Sequence, residues 1–357
     1  MLFPNADVVV NPVLLALLGV IVGTLGGFFG VGGGFLITGG LLVFGVPEIY
    51  AIGTGLTLIM GSSIINMLKH RGLGNVDFKL GIPMVLGAIP AVFAAESLNS
   101  SLEEAGQVGN VIPYVYVAVL LLLGFFLVYD FFKTRRRSLS ADSQSEAVST
   151  AGLTQKIQSL RIPPHSVKLP GLPARSTYIS LKVSGIESIS VFVPLLVGFG
   201  IGFFAGLLGA GGGFILMPVL VFVVGIPTTV AIGTDLFQVI ITGSWGTLLY
   251  ALDNHVDPLM ALIILAAASV GSQIGTTATR FVDPGRIRIL YGITVLSGAL
   301  AIGMGQVAKA SAGLAFLSRI DDWVLLGIPG CMCVVITILM VREAWQRRIA
   351  NNEGLAG

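Results

Sequence analysis

The chain has 357 residues, 54% of them hydrophobic and 11% charged, with a formal net charge of +2 and a mean hydropathy of +0.93. Soluble globular domains carry about 25% charged residues, so this composition excludes a soluble enzyme, a disordered chain and a nucleic-acid binder. Three histidines spread along the chain supply no metal cluster, and so small a net charge supplies no basic face for nucleic acid.

The first eleven residues contain no Lys or Arg. A basic n-region is therefore missing, no cleavable signal peptide is expected, and the first apolar stretch reads as a retained membrane segment. Apolar segments are expected at 12–29, 34–45, 48–69, 78–95 and 112–132. A polar stretch, 133–188, follows, beginning with Arg135-Arg136-Arg137 and carrying Pro163, Pro164, Pro170 and Pro173. It reads as a solvated loop, with weak alternation over Thr177–Val183 that suits a short strand. Apolar segments then recur at 190–209, 213–225, 227–251, 258–279 and 287–306, and a last one, 323–341, has no counterpart. Each crossing needs about 20 residues, which predicts an all-α polytopic membrane protein with about 8–11 membrane segments. The expected organisation is a first transmembrane repeat (11–132), a cytoplasmic polar loop (133–188), a second repeat (189–306), an additional helix (323–341) and a cytoplasmic tail (342–357). Cys331 and Cys333 lie two apart on a helix and point about 200° away from each other, so they are read as packing residues rather than a disulfide or shared metal site.

The repeats rest on four matches in one order. Gly30-Val31-Gly32-Gly33-Gly34-Phe35 matches Gly209-Ala210-Gly211-Gly212-Gly213-Phe214, Gly45-Val46-Pro47 matches Gly225-Ile226-Pro227, Ala51-Ile52-Gly53-Thr54 matches Ala231-Ile232-Gly233-Thr234, and Asn75-Val76-Asp77 sits opposite His255-Val256-Asp257. The offset is 179 at the first and 180 at the others. Internal repeats of this kind are common in secondary transporters. The second segment of each block spans roughly 20 Å at 1.5 Å per residue, short of the roughly 30 Å hydrocarbon core. It reads as a broken or re-entrant helix packed inside protein. With each short segment paired to its predecessor as a hairpin, 18 of the 20 Lys and Arg fall on one side, leaving only Lys309 and Arg319 on the other. The positive-inside rule then places the 133–188 loop and the C-terminus in the cytoplasm and the N-terminus outside. The two repeats have inverted topology on this reading.

The glycine turns are the first candidates for chemistry. Each of Gly30, Gly32, Gly33 and Gly34, and each of Gly209, Gly211, Gly212 and Gly213, sits at a break between helical pieces. Uncovered backbone N–H groups and the positive end of the following helix can bind an anion there without Lys or Arg. Close helix packing is the competing use of small residues. No Lys-Ser/Thr follows the glycines, as a Walker A motif requires, and no soluble strand–turn–helix unit surrounds them. Asp235 lies roughly 12 Å into its helix, where a carboxylate costs about 2.5–3.5 kcal/mol. It either carries a coupling proton or lines the pathway, or it hydrogen-bonds a neighbouring helix. Gln238 lies three residues on, near the same face. Thr54 and Thr234 start matching faces and either line the site or bond their own backbone four residues back. Asp77 and Asp257 suit N-caps, His255 could titrate, and Arg280, Arg286 and Arg288 read as topogenic charges. Tyr129-Asp130 with Gly233-Thr234-Asp235 is too incomplete for an intramembrane aspartyl protease. Gly243-Ser244-Trp245-Gly246 has no partner histidine in a later segment for a rhomboid-type serine site. No enzyme, metal site or cofactor is expected.

The duplicated pattern of a G-x-G-G-G turn, a G-[V/I]-P step and an A-I-G-T helix start, with Gly74-Asn75-Val76-Asp77 in the first copy, resembles the TauE/SafE sulfite exporter family of membrane transporters. The resemblance covers about 30–95 and 198–305. It implies movement of sulfur-containing anions, such as sulfite, thiosulfate or organosulfonates, across the cytoplasmic membrane. The 133–188 loop and the 323–341 helix exceed the compact family core, and Gly55 replaces the small hydroxyl residue often seen after that first Gly-Thr. The expectation is a gradient-driven secondary transporter. Its substrate is bound by Gly30, Gly32, Gly33, Gly34, Thr54, Gly209, Gly211, Gly212, Gly213, Thr234 and Gln238, and Asp235 handles the coupling proton. Its partners are a small anion and the lipid bilayer, with homo-oligomerisation left open. A carrier of another small organic anion, or an assembly or sensory partner acting through the 133–188 loop, are the alternatives.

Overall fold

The computed structural model describes residues 1–30, 33–72, 74–138, 151–159, 166–167, 175–279, 281–282, 284–310 and 317–354. Its helices are α1 (Pro12–Phe29), α2 (Gly34–Val43), α3 (Glu48–Gly72), α4 (Phe78–Glu104), α5 (Val108–Ser138), α6 (Ala151–Gln158), α7 (Phe192–Leu208), α8 (Gly213–Pro218) continued by a π-helical stretch (Val219–Val224), α9 (Thr228–Leu252), α10 (Pro258–Ala278), α11 (Pro284–Ala310) and α12 (Leu317–Gly354). Three small antiparallel hairpins accompany them: β1 (Leu2–Phe3) with β2 (Val8–Val9), β3 (Ser166–Val167) with β4 (Arg175–Ser176), and β5 (Tyr178–Leu181) with β6 (Ile186–Ser190). The protein is an all-α polytopic membrane protein. Seven helices among the described residues are long and apolar enough to cross a bilayer, and α2, α7 and α8 with its π stretch are shorter apolar pieces. Helix α9 has the length, at 25 residues, but Thr234, Asp235, Gln238, Thr242 and Ser244 lower its hydropathy.

The caps follow the sequence. The Asn11 side chain accepts the Val13 N–H at the start of α1. Asp77 accepts from Lys79 and Leu80 at α4, and Asp257 accepts from Met260 at α10, where Pro258 occupies the first turn. These side chains satisfy backbone N–H groups that a helix start leaves unpaired. At the other ends, Gly30 closes α1 and Gly209 closes α7 in the left-handed conformation, with φ of 76° and 66°, where a residue without Cβ fits best.

Helix α1 packs on α10, α4 on α7, α3 on α9 and α5 on α11, and α12 lies against α11 and α1. Exchanging the first-block helices for their second-block counterparts leaves this scheme unchanged. The approach is close because glycines face backbone: a Cβ on Gly23 would enter the backbone of Ala268, and one on Gly202 the backbone of Ala88. Close backbone approach is how helices associate where the hydrophobic effect is absent.

Several boundaries differ from expectation. Helix α4 runs to Glu104 and α5 covers Val108–Ser138, beyond the apolar ends at 95 and 132, because hydropathy marks membrane depth rather than the last helical hydrogen bond. The second block does not begin as a helix at 190, since Ser190 closes β6 and α7 starts at Phe192. Two parts of 133–188, α6 and the hairpin β5–β6, dock on the helices, where a solvated loop was expected. Helix α6 donates hydrogen bonds from Thr154 Oγ1 to the Phe222 carbonyl at 3.3 Å and from Gln158 Nε2 to the Val224 carbonyl at 2.9 Å. The hairpin β5–β6 buries Leu181, Ile186 and Ile189 against Leu80, Met84 and Val193. A hairpin also precedes α1, which apolar-segment reading missed. Its Asn5 donates to the Val256 carbonyl at 3.0 Å, while Ser184 of the β5–β6 turn donates to Asp77 Oδ2 at 2.7 Å. Each hairpin thus touches the Val-Asp loop of the other half.

Candidate functional site

The two glycine turns meet inside the protein. Gly34 lies against the Ala210 carbonyl and the Ile59 side chain, Gly211 lies between Ile59 and Val239, and the Phe35 and Phe214 rings stand 6.0 Å apart. Gly30 abuts Ile232, the residue two before Thr234, and Gly209 abuts Ile52, two before Thr54. Gly33, Gly211 and Gly212 also have positive φ, between 67° and 76°. Gly30, Gly33, Gly34, Gly209, Gly211, Gly212 and Gly213 are all buried. Gly32 lies outside the described residues. The first N–H groups of α2 and α8 start in this contact zone, and such groups have no partner within their own helix.

Thr54 and Thr234 are fully buried and each accepts a backbone hydrogen bond from the opposite half. Thr54 Oγ1 accepts the Asp257 N–H at 3.0 Å, and Thr234 Oγ1 accepts the Asp77 N–H at 3.0 Å. The pair ties the helix starts of α3 and α9 to the Val-Asp loops, where the sequence offered either a place lining the site or a bond within each helix.

Asp235 and Gln238 are also fully buried. Among the described residues, neither carboxylate oxygen of Asp235 and neither amide atom of Gln238 has a hydrogen-bond partner. On α3, which packs against α9, Ser63 Oγ and Asn66 Oδ1 are buried and unpartnered as well. Buried polar groups are nearly always paired in folded proteins, and an isolated ion is far more costly to bury than a neutral polar group. Each of these unpartnered donors and acceptors suits a partner that comes and goes: water, a proton or a polar solute. Its members have no surface exposure, so this conformation closes them off from both sides of the membrane.

Three functional candidates were invisible in the motif reading. Thr38 on α2 donates from Oγ1 to the Gly209 carbonyl at 2.9 Å, and a Cβ on Gly55 would collide with that hydroxyl. The counterpart of Thr38 is Met217, and the counterpart of Gly55 is Asp235. One half thus carries its polar group on the short helix and the other half on the long one. Tyr116 of α5 donates to the Phe35 carbonyl at 3.0 Å, and Tyr291 of α11 donates to the Phe214 carbonyl at 2.6 Å. Each tyrosine holds the first turn of a short helix, and Asp235 acts electrostatically on Tyr291. Aligning the fifth segments of the two blocks would have found them.

The family model described as sulfite exporter TauE/SafE matches residues 15–302. The chain is 25% identical over 297 residues to the probable membrane transporter protein YunE of Bacillus subtilis, covering 80% of this chain and 94% of that protein. It is 24% identical over 292 residues to the probable membrane transporter protein MJ0441 of Methanocaldococcus jannaschii, covering 78% and 90%. A probable membrane transporter protein of Xylella fastidiosa is 35% identical over 112 residues, covering 31% and 41%. No solved structure matches the chain.

Proposed function

The chain belongs to the sulfite exporter TauE/SafE family, and from that premise we propose that it is a secondary transporter of a small sulfur oxyanion or organosulfonate across the cytoplasmic membrane. That it is a membrane transporter rather than an enzyme follows from the family itself and from its relatives. The substrate class and the mechanism are our reading.

The observation that carries the reading is the meeting of the two glycine helix breaks against Ile232 and Val239 of α9, the helix that also bears the buried, unpartnered Asp235 and Gln238. The helix starts of α2 and α8 would supply N–H groups to the anion, and Gln238 an amide donor. The twofold exchange of contacts supports two inverted-topology repeats, which would rock against each other to expose the breaks to one side and then the other. On this topology the N-terminus is outside and the C-terminus cytoplasmic.

Asp235 sets the coupling. Two like charges about 5 Å apart repel by roughly 3 kcal/mol at an effective dielectric of about 20. An anion in the turns and a proton on Asp235 would therefore favour each other, so the two would travel together.

Counterflow in proteoliposomes tests the reading. Vesicles loaded with unlabelled sulfite, thiosulfate, sulfate or an alkanesulfonate are diluted into the same labelled compound. Transient accumulation of one sulfur anion, lost on Gly212→Val, supports it. Exchange of carboxylates alone, or of none of these compounds by folded protein, overturns the substrate assignment.

A further inference from the structure

The first turns of α4 face three ways. Asp77 caps the helix and accepts from Ser184 of the β5–β6 turn. Leu80 and Met84 are buried in one cluster with Leu181, Ile186 and Ile189 of that hairpin. Phe78, Ile82, Leu86 and Phe93 are exposed, at four- and seven-residue spacings that share one face of a helix. Helix α4 is one of the membrane spans, so this third face is turned to acyl chains.

Along the seam between α4 and the hairpin lies a groove of about 400 Å³, lined by Lys79, Ile82 and Pro83 of α4 and by Ile179 and Ser180 of β5. Its size is within the roughly 300–1,000 Å³ of small-molecule sites. Its walls are chemically divided. Lys79 and Ser180 supply an ammonium and a hydroxyl, while Ile82, Pro83 and Ile179 are apolar. Lys79 is in the first turn of α4, and Ile82 and Pro83 follow one turn deeper. The charge therefore sits at the end of the span and the apolar wall runs into the bilayer. Lys182 adds a second cation. It and Ser180 are exposed with Leu181 buried between them, so the two stand on the same side of the hairpin. Among the described residues neither Lys79 nor Lys182 makes an ion pair. The second half has no equivalent: the counterpart of Lys79 on α10 is Leu259, and the first hairpin carries no Lys or Arg.

We propose that this groove binds an anionic phospholipid, its phosphate at Lys79, Ser180 and Lys182 and the upper part of an acyl chain along Ile82, Pro83 and Ile179. Both ends of the ligand are needed. A zwitterionic lipid brings its own ammonium to the lysines and gains less from them. A free phosphate ion gains nothing from the apolar walls, whose burial favours a chain. On the topology proposed above, the groove opens to the cytoplasmic leaflet. A lipid in it touches both walls, holds the hairpin on α4 and keeps Ser184 on Asp77. The groove binds lipid whichever solute the protein carries.

Hydrogen–deuterium exchange of the full chain tests this in two sets of nanodiscs, one of phosphatidylcholine alone and one containing phosphatidylglycerol with the same acyl chains. Peptides covering 78–84 and 176–190 should exchange more slowly in the phosphatidylglycerol discs. An anionic surface also slows exchange by depleting hydroxide, and peptides covering 1–10, in the hairpin without Lys or Arg, measure that general effect. The double variant Lys79→Gln, Lys182→Gln should lose the extra protection, and Lys79→Arg should keep it. Both lysines are exposed, so the fold should survive, which unchanged exchange in the phosphatidylcholine discs verifies. In detergent micelles, with retained phosphatidylglycerol followed by native mass spectrometry, each Lys→Gln change should weaken binding about fivefold, what one basic residue contributes near anionic lipid. Protection at 78–84 and 176–190 no greater than at 1–10, or protection that survives the double substitution, overturns the proposal. Equal protection by inorganic phosphate in phosphatidylcholine discs would make the groove a free-anion site and overturn the lipid assignment.

Discussion

The Thr234 hydroxyl accepts a hydrogen bond at 3.0 Å from the backbone N–H of Asp77, a residue 157 positions earlier in the chain. The same residue then uses its carboxylate twice more, capping α4 at Lys79 and Leu80 and accepting from Ser184 of the β5–β6 turn. One threonine therefore fixes the start of α4, and through it the hairpin below. Replacing it with valine keeps the shape but leaves the Asp77 amide buried and unpaired, which costs about 1–3 kcal/mol. Thr234→Val should lower the thermal unfolding midpoint of the purified protein, Thr234→Ser should restore it, and Thr54→Val should behave alike through Asp257. A midpoint unchanged in both valine variants would show that the amides find other partners.

The glycines that end α1 and α7 should differ in how they can be rescued. Alanine at either position meets a positive φ, worth about 1–2 kcal/mol, and a clash. At Gly30 the clash is with the Ile232 side chain, whereas at Gly209 it is with the backbone of Ile52. Ile232→Ala should therefore recover part of the folded yield of Gly30→Ala, and Ile52→Ala should recover none of that of Gly209→Ala. Folded yield by size-exclusion chromatography reads both, and equal rescue would contradict the geometry.

Hydropathy and the repeated glycine motifs were enough to place the long helices, because a membrane segment is defined by composition and its breaks by residues that tolerate positive φ. The aspartate caps were legible for the same reason: Asp77 and Asp257 act on residues two or three positions away. What the sequence hid depends on distance in space. Thr54 and Thr234 were assigned either to the pathway or to their own helices, since nothing local shows an amide from the other half. Thr38 and Gly55 exchange roles with Met217 and Asp235, so matching the repeats position by position registers a difference and no compensation. The docking of α6 onto Phe222 and Val224 follows from a π-helical stretch that no hydropathy pattern announces.

The proposed orientation is testable with single cysteines placed in a chain lacking Cys331 and Cys333. Asp7 in the first hairpin and Lys182 in the β5–β6 hairpin are both exposed. An impermeant maleimide should label Asp7→Cys in intact cells and Lys182→Cys only after permeabilisation. The reverse pattern would invert the topology.

Coupling is where Asp235 should separate from its neighbours. A buried carboxylate with no hydrogen-bond donor among the described residues cannot remain ionised next to an anion without a large electrostatic penalty. If its proton moves with the substrate, Asp235→Asn retains a neutral, hydrogen-bonding side chain of the same shape and loses only the exchangeable proton. Exchange of labelled for unlabelled substrate, which needs no net proton movement, should persist at a rate of the same order as the native chain's. Net uptake driven by a pH gradient should collapse toward the leak. Gln238→Ala should do the opposite: it weakens apparent affinity by about tenfold, the equivalent of about 1.4 kcal/mol and within the range for a lost hydrogen bond to a charged group, while net uptake remains gradient-driven. Measuring exchange and gradient-driven uptake side by side in the same vesicles decides the assignment. Asp235→Asn that still concentrates substrate when driven by a pH gradient would remove Asp235 from the coupling.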